Sequence, residues 1–252
     1  MRVGDGAFDV SLVATFHHEG YIAGWTLDNL ARLRREADVA GLSHELICVL
    51  DKADDKTIAV VEGHDGRRRH DKVLRVLHGD LGMSRNEGVS RATGEFVATL
   101  DGDDYYSLNW LTQAHKTAMG SGAAKQVVQP SFIISFGESR NIMKVPNQQT
   151  DIVPTEALLT INPWGSSFFV RRAAIADCPY QETRAEATGF GYEDWHWNLE
   201  MLARGFTFVT APHTARYYRR SPNSLLMRTI ASRAVVRPSS FFRMRPEKGG
   251  RE

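Results

Sequence analysis

Cysteine is nearly missing from this chain. Cys48 and Cys178 are the only two in 252 residues, far apart and outside any metal-ligand spacing. That excludes a disulfide framework and predicts inert, reduced thiols and a cytoplasmic address. No HxxxH spacing and no Cys/His cluster occurs among the nine histidines, which argues against zinc. No run of 18 apolar residues is present, so no membrane-spanning helix is expected. The opening Met1–Gly6 lacks the apolar core of a signal peptide. There is no GxxxxGK phosphate loop and no GxGxxG after the first apolar run. A Ser/His/Asp triad cannot be chosen from spacing, because such triads form only in three dimensions. No internal repeat, low-complexity tract or linker precedes Ser221.

What is present is a globular composition, 42% apolar and 24% charged, in a chain long enough to bury a full core. The net charge of +1 conceals an imbalance. Of the 31 Lys and Arg, ten lie from Arg216 onward, with only two of the 30 Asp and Glu. The body before it holds the other 21 basic and 28 acidic residues. A basic end this local does not make a nucleic-acid-binding domain, but it suits an anionic surface or a phosphate.

Phe8–Phe16 is a near-continuous Val, Leu and Phe run, as in strands buried on both faces. In the helix that follows, Ile22, Leu27, Leu30, Leu33 and Ala37 share a face, and Gly41 is a plausible stop. His44–Leu50 predicts a second buried strand ending at Asp51, with a helix starting near Asp54. Lys72–His78 predicts a third strand, Ser84–Arg91 a short helix and Glu95–Leu100 a fourth strand. Ser107–Met119 and Glu193–Arg204 read as helices. Gln126–Phe136, the end of Thr160–Arg171, Phe206–Val209 and Ala215–Arg219 read as strands. Gly137–Pro154 and Glu182–Gly191 read as loops. The Leu226–Val235 pattern is basic and amphipathic, suiting either a helix docked on the domain or one lying on an anionic membrane. The chain beyond Pro238 is expected to be poorly ordered. Strands alternating with helices imply an α/β domain with a mostly parallel sheet, whose ligands bind at the carboxyl ends of strands. Thr15, Asp51 and Asp101–Asp104 fall at such ends.

Thr99-Leu100-Asp101-Gly102-Asp103-Asp104 is the most unusual stretch. Three carboxylates within four residues at the mouth of a buried strand are costly without a cation among them. Oxygen-only ligands favour Mg²⁺ or Mn²⁺, which in turn would bind phosphate. Asp-Gly-Asp-Asp is also the composition of a solvated turn. Glu193-Asp194 fits the head of a helix, where acids meet the macrodipole favourably. Trp164, Trp195 and Trp197 suit either the core or the face of a sugar. Arg219 and Arg220 suit either a diphosphate or a solvated edge.

From Gly79 to Asp104 the sequence resembles the family 2 glycosyltransferases, which have the GT-A nucleotide-sugar fold. The matching features are an Arg85-Asn86 pair, a Gly94-Glu95-Phe96-Val97 strand and a terminal Leu100-Asp101-Gly102-Asp103-Asp104. The resemblance continues through Thr15-Phe16-His17, Asp51–Thr57, Gly189–Gly205 and Ala211–Ser224, and so covers about Val10 to Ser224. It implies that Asp51 accepts a hydrogen bond from the uracil imide and that Thr15 and Phe16 border the base. It places Arg85 beside the nucleotide and Asp101 near ribose and metal-bound water. Asp103 would bind the metal and Asp104 would position the donor sugar. Asp194 would be the general base of an inverting transfer, with Glu193 an acceptor-binding or positioning residue. At a helix N-terminus, Asp194 is expected to have a low pKa. Trp164, Trp195 and Arg219 are acceptor-side candidates. A His often found after the Arg of the last motif is absent, and Ser221 or Pro222 stands there. His213 is a candidate substitute as metal ligand.

The expected fold is therefore α/β of the GT-A, Rossmann-like kind, with a smaller mixed acceptor-side part. Residues 1–224 would form the catalytic domain, with 8–104 the nucleotide-binding half and 105–224 the acceptor-side half. Residues 225–252 would form a basic helix and tail. The expected activity is transfer from a nucleotide sugar, most simply a UDP-sugar, to a glycan or lipid-linked acceptor. The tail gives the option of peripheral contact at the inner membrane face. The alternatives are a sugar-phosphate nucleotidylyltransferase and a non-catalytic nucleotide-sugar or glycan-binding module. The former should carry a Gly-rich, basic first loop, whereas His17-His18-Glu19-Gly20 stands here.

Overall fold

The computed structural model describes residues 7–120 and 125–243. The expectations for Met1–Gly6 and for the tail after Arg243 lie outside the described residues. The first half is a run of β1 (Phe8–Phe16), α1 (Ile22–Val39), β2 (His44–Asp51), α2 (Asp55–Gly63), β3 (Lys72–Val76), α3 (Leu81–Ser90) and β4 (Gly94–Asp101). β5 (Tyr105–Tyr106), α4 (Trp110–Gly120), β6 (Gln126–Gly137), β7 (Asn141–Lys144) and β8 (Phe169–Arg171) follow. The chain then forms α5 (Arg172–Asp177), α6 (Ala185–Thr188), β9 (Phe190–Gly191), α7 (Glu193–Ala203) and β10 (Thr207–Arg220). It closes with α8 (Leu225–Ala231) and β11 (Val235–Val236).

One sheet runs in the order β3-β2-β1-β4-β8-β6-β10-β5, with β7 on the edge of β6. β3, β2, β1 and β4 are mutually parallel, and β10 is parallel to β6. β8 runs antiparallel between β4 and β6. Every residue of β2 is buried, as its unbroken apolar run requires. One core layer packs α1 and α4 on the sheet through Leu27, Leu30, Leu33, Trp110 and Leu111. The other is built around Trp164, Phe168, Tyr180, Trp197 and Phe208.

The differences from expectation have local causes. β3 ends at Val76 and is half-exposed at the sheet edge. α3 starts at Leu81 because Asp80 caps it, accepting from the Met83 amide at 2.8 Å. The two short strands expected between Phe206 and Arg219 are one strand, β10, with a register shift between Ala211 and Ala215. His213 sits in that bulge at φ 59°. The loop expected over Gly137–Pro154 contains β7, and the one over Glu182–Gly191 contains α6 and β9. The C-terminal helix stops at Ala231, and Arg233 turns the chain with φ 50°. Beyond Pro238, the expected disorder is not seen over Ser239–Arg243. Ser239 and Ser240 are anchored to Glu200 there.

α3 lies close on the sheet because Gly88 has no side chain. A Cβ there would come within 2.3 Å of Val13 and 3.1 Å of Val49. Gly88→Ala is therefore expected to cost about 1–3 kcal/mol of stability by overpacking. A lower urea midpoint at unchanged slope would show it.

Candidate active site

β1, β2 and β4 end side by side, so the last residues of each face one cleft of about 730 Å³. Thr15, Phe16, Asp51, Asp101 and Asp103 all line it, with His17, His18 and Glu19 from the loop after β1. The β1–β4 contact is close at Gly102. A Cβ there would meet Phe16 at 2.5 Å and the Thr15 carbonyl at 2.6 Å. Tyr218, Arg219, Ser221, Leu225, Leu226 and Arg228 close the opposite wall.

Asp51 is held in place by the protein. Its Oδ1 accepts from the Gly79 amide at 2.9 Å, and its Oδ2 from the Asp80 amide at 3.2 Å and the Ser84 hydroxyl at 2.7 Å. Oδ1 thus carries one of these bonds and Oδ2 two. Asp101 is held more firmly. Arg85 donates to its Oδ1 at 2.7 Å, while Arg216 at 2.7 Å and Ser166 at 2.8 Å donate to its Oδ2. Burial alone would raise the Asp101 carboxyl, but the two guanidiniums outweigh it and hold it down at about 2. Asp103 is different. Burial and the neighbouring Asp101 charge push its carboxyl up, and Arg219, at 3.1 Å, opposes them.

Three further candidates for the donor or acceptor side do not line the cleft. Asp104 is fully buried and does not line the cleft. Its carboxylate accepts from Arg216 Nε and from the Arg219 amide at 2.9 Å, so it braces β10. Burial drives this carboxyl up to about 7 against the pull of Arg216. Arg85 is also wholly buried and does not line the cleft, so it supports Asp101 from behind. Its second arm donates to Glu193 at 2.9 Å. Trp164 is a core residue, stacked on Phe208 at 4.3 Å with its Nε1 donating to the Pro146 carbonyl. His213 does not line the cleft either.

Glu193 and Asp194 open α7, joined to the cleft floor through Arg85. Glu193 is buried, while Asp194 is partly exposed. Asp194 accepts from the Trp195 amide at 2.8 Å and from Asn162 at 3.3 Å. The low pKa expected for Asp194 is not found: burial raises it above the usual carboxylate range. Burial and the Asp194 charge also lift Glu193, to about 7, against Arg85. Trp195 stays beside Asp194, with its Nε1 bonded to the Leu158 carbonyl. Among the described residues no group of three His, Cys, Asp or Glu is placed to hold a metal ion by itself.

Sequence reasoning missed Arg216, Ser166, Asn162, Arg228 and Glu19. Burial, Asp103 and Asp54 push the Glu19 carboxyl up to about 7 on the cleft wall. The available signal for Arg216 was a lone Arg at an inward position of a strand. Arg216→Met is expected to cost about 3–5 kcal/mol, because it removes the guanidinium bonded to buried Asp104 and one of the two bonded to Asp101. Each carboxyl would then titrate higher than it does beside Arg216, so the deficit should shrink as pH falls from neutral toward about 2, the wild-type value for Asp101. Denaturant unfolding of wild type and variant across that range checks both parts.

The comparisons with known proteins fit this geometry. Residues 11–178 match the family described as Glycosyl transferase family 2. A poly(ribitol-phosphate) beta-glucosyltransferase of Bacillus spizizenii is 22% identical over 61% of this chain and 24% of its own length. The putative glycosyltransferase EpsH of Bacillus subtilis is 29% identical over 55% of this chain and 38% of its own. This chain thus spans well under half of those relatives. Among solved structures, S. aureus TarS 1–349 in complex with UDP-GlcNAc superposes with a TM-score of 0.64 at 18% identity. That match covers 93% of this chain and 64% of the other, and at this identity it speaks for the fold. With the family match spanning most of its length, this chain belongs to glycosyl transferase family 2.

Proposed function

We propose that this chain catalyses an inverting transfer of a sugar from a UDP-sugar to a hydroxyl of a glycan or lipid-linked acceptor. Mn²⁺ or Mg²⁺ would serve at the diphosphate. The observation that carries the reading is the Arg85 bridge, which joins the acid floor of the nucleotide-sized cleft to the acid pair heading α7. The Oδ1 of Asp51 has capacity to accept a uracil N–H, a charge-assisted bond that discriminates between bases. Thr15 and Phe16 would border the ring. Arg219 and Arg228 supply positive charge on the wall facing Asp101 and Asp103.

The residues fit a hard divalent ion. Asp103 faces the cleft with an oxygen donor, and its raised carboxyl is one that a cation would relieve. Asp101 is committed to two arginines, so Asp103 would be the direct protein ligand, with substrate phosphates and water completing the shell. A bound ion of this kind neutralises charge building on the leaving diphosphate. In the transfer itself, the acceptor oxygen bonds to the anomeric carbon as the bond to the diphosphate oxygen breaks. Asp194 takes the hydroxyl proton. Arg85 occupies Glu193, which leaves Asp194 as the carboxylate open to an acceptor. Its raised pKa makes it a stronger base than an ordinary Asp.

A cytoplasmic site at the inner membrane face is part of the proposal. No described helix is long and apolar enough to cross a membrane. α8 exposes Leu225, Met227 and Ile230 beside Arg228 and Arg233, a pattern suited to peripheral contact.

Asp194→Asn is expected to lower kcat by about 10²- to 10⁴-fold while UDP affinity holds. Loss of UDP binding together with turnover would refute the assignment of Asp194 as base. The acid limb of the kcat–pH profile should lie above the usual range for Asp, because the reacting form is the carboxylate. A panel of nucleotide sugars with and without EDTA tests the chemistry. If none is turned over or hydrolysed in a metal-dependent way, the proposed reaction fails.

A further inference from the structure

A second cavity, of about 500 Å³, lies apart from the donor cleft. Its walls come from one face of α7, from the Cys178–Gln181 turn and from the C-terminal segment. Three arginines, Arg204, Arg237 and Arg243, line it together with His196. Its one lining carboxylate, Glu200, already accepts from Ser239 Oγ, the Ser240 amide, Ser240 Oγ and Arg204. The nearby Glu182 is paired with Arg184 at 2.9 Å.

Two of the arginines therefore bring uncompensated charge. Arg237 donates its Nε to the Glu182 carbonyl at 2.8 Å and stacks on Phe190 at 4.6 Å. That fixes the guanidinium and leaves its two terminal nitrogens without a hydrogen-bond partner among the described residues. The Arg243 side chain makes no hydrogen bond or ion pair among the described residues. Burial lowers the His196 pKa and Arg237 adds to that, while Glu200 at 3.9 Å and a hydrogen bond to the Pro238 backbone oppose them. A fixed guanidinium fork, a second arginine and an imidazole around a concave space match a tetrahedral oxyanion.

We propose that this cavity binds a phosphate group. The group could be free phosphate or a phosphodiester within a polymeric acceptor. His196 and Glu200 on α7 and Arg204 at its C-cap repeat every fourth residue. At about 100° of turn per residue they lie on the face of the helix away from Asp194. The site stands on its own residues and does not depend on the donor reading.

The test is a titration of the intact chain with inorganic phosphate and, separately, with a short polyol-phosphodiester oligomer. Calorimetry supplies the affinity, and each titration is run with and without UDP. Wild type should bind at least one of the two whether or not UDP is present. Arg243→Gln removes a side chain with no hydrogen-bond or ion-pair partner among the described residues, and it should weaken binding by about tenfold, as should Arg237→Gln. The double variant should lose binding while retaining its UDP affinity. Oligomer binding tighter than phosphate would identify an acceptor chain as the source, and phosphate binding alone would identify the free anion. No binding to wild type at millimolar concentrations, or equal binding to the double variant, overturns the proposal. If UDP itself fails to bind, the donor reading falls while the arginine dependence still decides this one.

Discussion

The site depends on one buried cation. Arg85 sits on α3 with no exposed surface, and a guanidinium out of water must find anions. It takes one from each acidic motif, Asp101 at the end of β4 and Glu193 at the head of α7. The second partner is 108 residues away in sequence. Breaking either pair would leave a buried charge uncompensated, so the position of α7 against β4 is fixed by electrostatics as well as by packing. The same pairing divides the labour of the two neighbouring acids. Glu193 is enclosed with Arg85, and Asp194 is left half-open with its pKa raised by burial.

β10 supplies the other half of the lattice. Its bulge between Ala211 and Ala215 resets the register against β6 and brings Arg216 inward beneath Asp101 and Asp104. Arg219, three residues on, reaches Asp103 with its side chain and Asp104 with its amide. The three aspartates after β4 therefore do three different things. Asp101 is clamped by arginines, Asp104 is a buried brace, and Asp103 keeps a face toward the cleft. A stretch that reads as one acidic cluster is divided by which arginine each carboxylate meets.

The fold was legible where burial leaves a one-dimensional trace. The apolar runs of β1, β2 and β4 marked central parallel strands, and the convergence of Thr15, Asp51 and Asp101 followed from their positions at strand ends. Pairing between distant segments leaves no such trace. Nothing local in Thr207–Arg220 shows that it is one bulged strand alongside β6, or that Phe169–Arg171 is wedged antiparallel beside β4. The pairing of Arg85 leaves no trace for the same reason: its sequence pattern is identical whether it faces a nucleotide or two carboxylates. Trp164 beside a Gly suits either the core or a sugar face in sequence, and its stacking on Phe208 places it in the core. For Asp194 the local argument pointed the wrong way, because a helix N-terminus stabilises a carboxylate less than burial beside Glu193 destabilises it.

The C-terminal segment ties the two ends of the site together. Leu225, Leu226 and Arg228 form part of the donor-cleft wall. A few residues later, Val235 and Val236 pair in parallel with Phe190 and Gly191, the residues just before α7. Ser239 and Ser240 then bond Glu200 on α7 itself. The backbone pairing of β11 with β9 thus connects the segment after α8 to the turn at Tyr192, whose φ of 57° sets how Glu193 and Asp194 enter the helix. The segment from Leu225 to Arg243 thus belongs to the architecture of the site, because it borders the cleft and braces the helix that bears the acid pair.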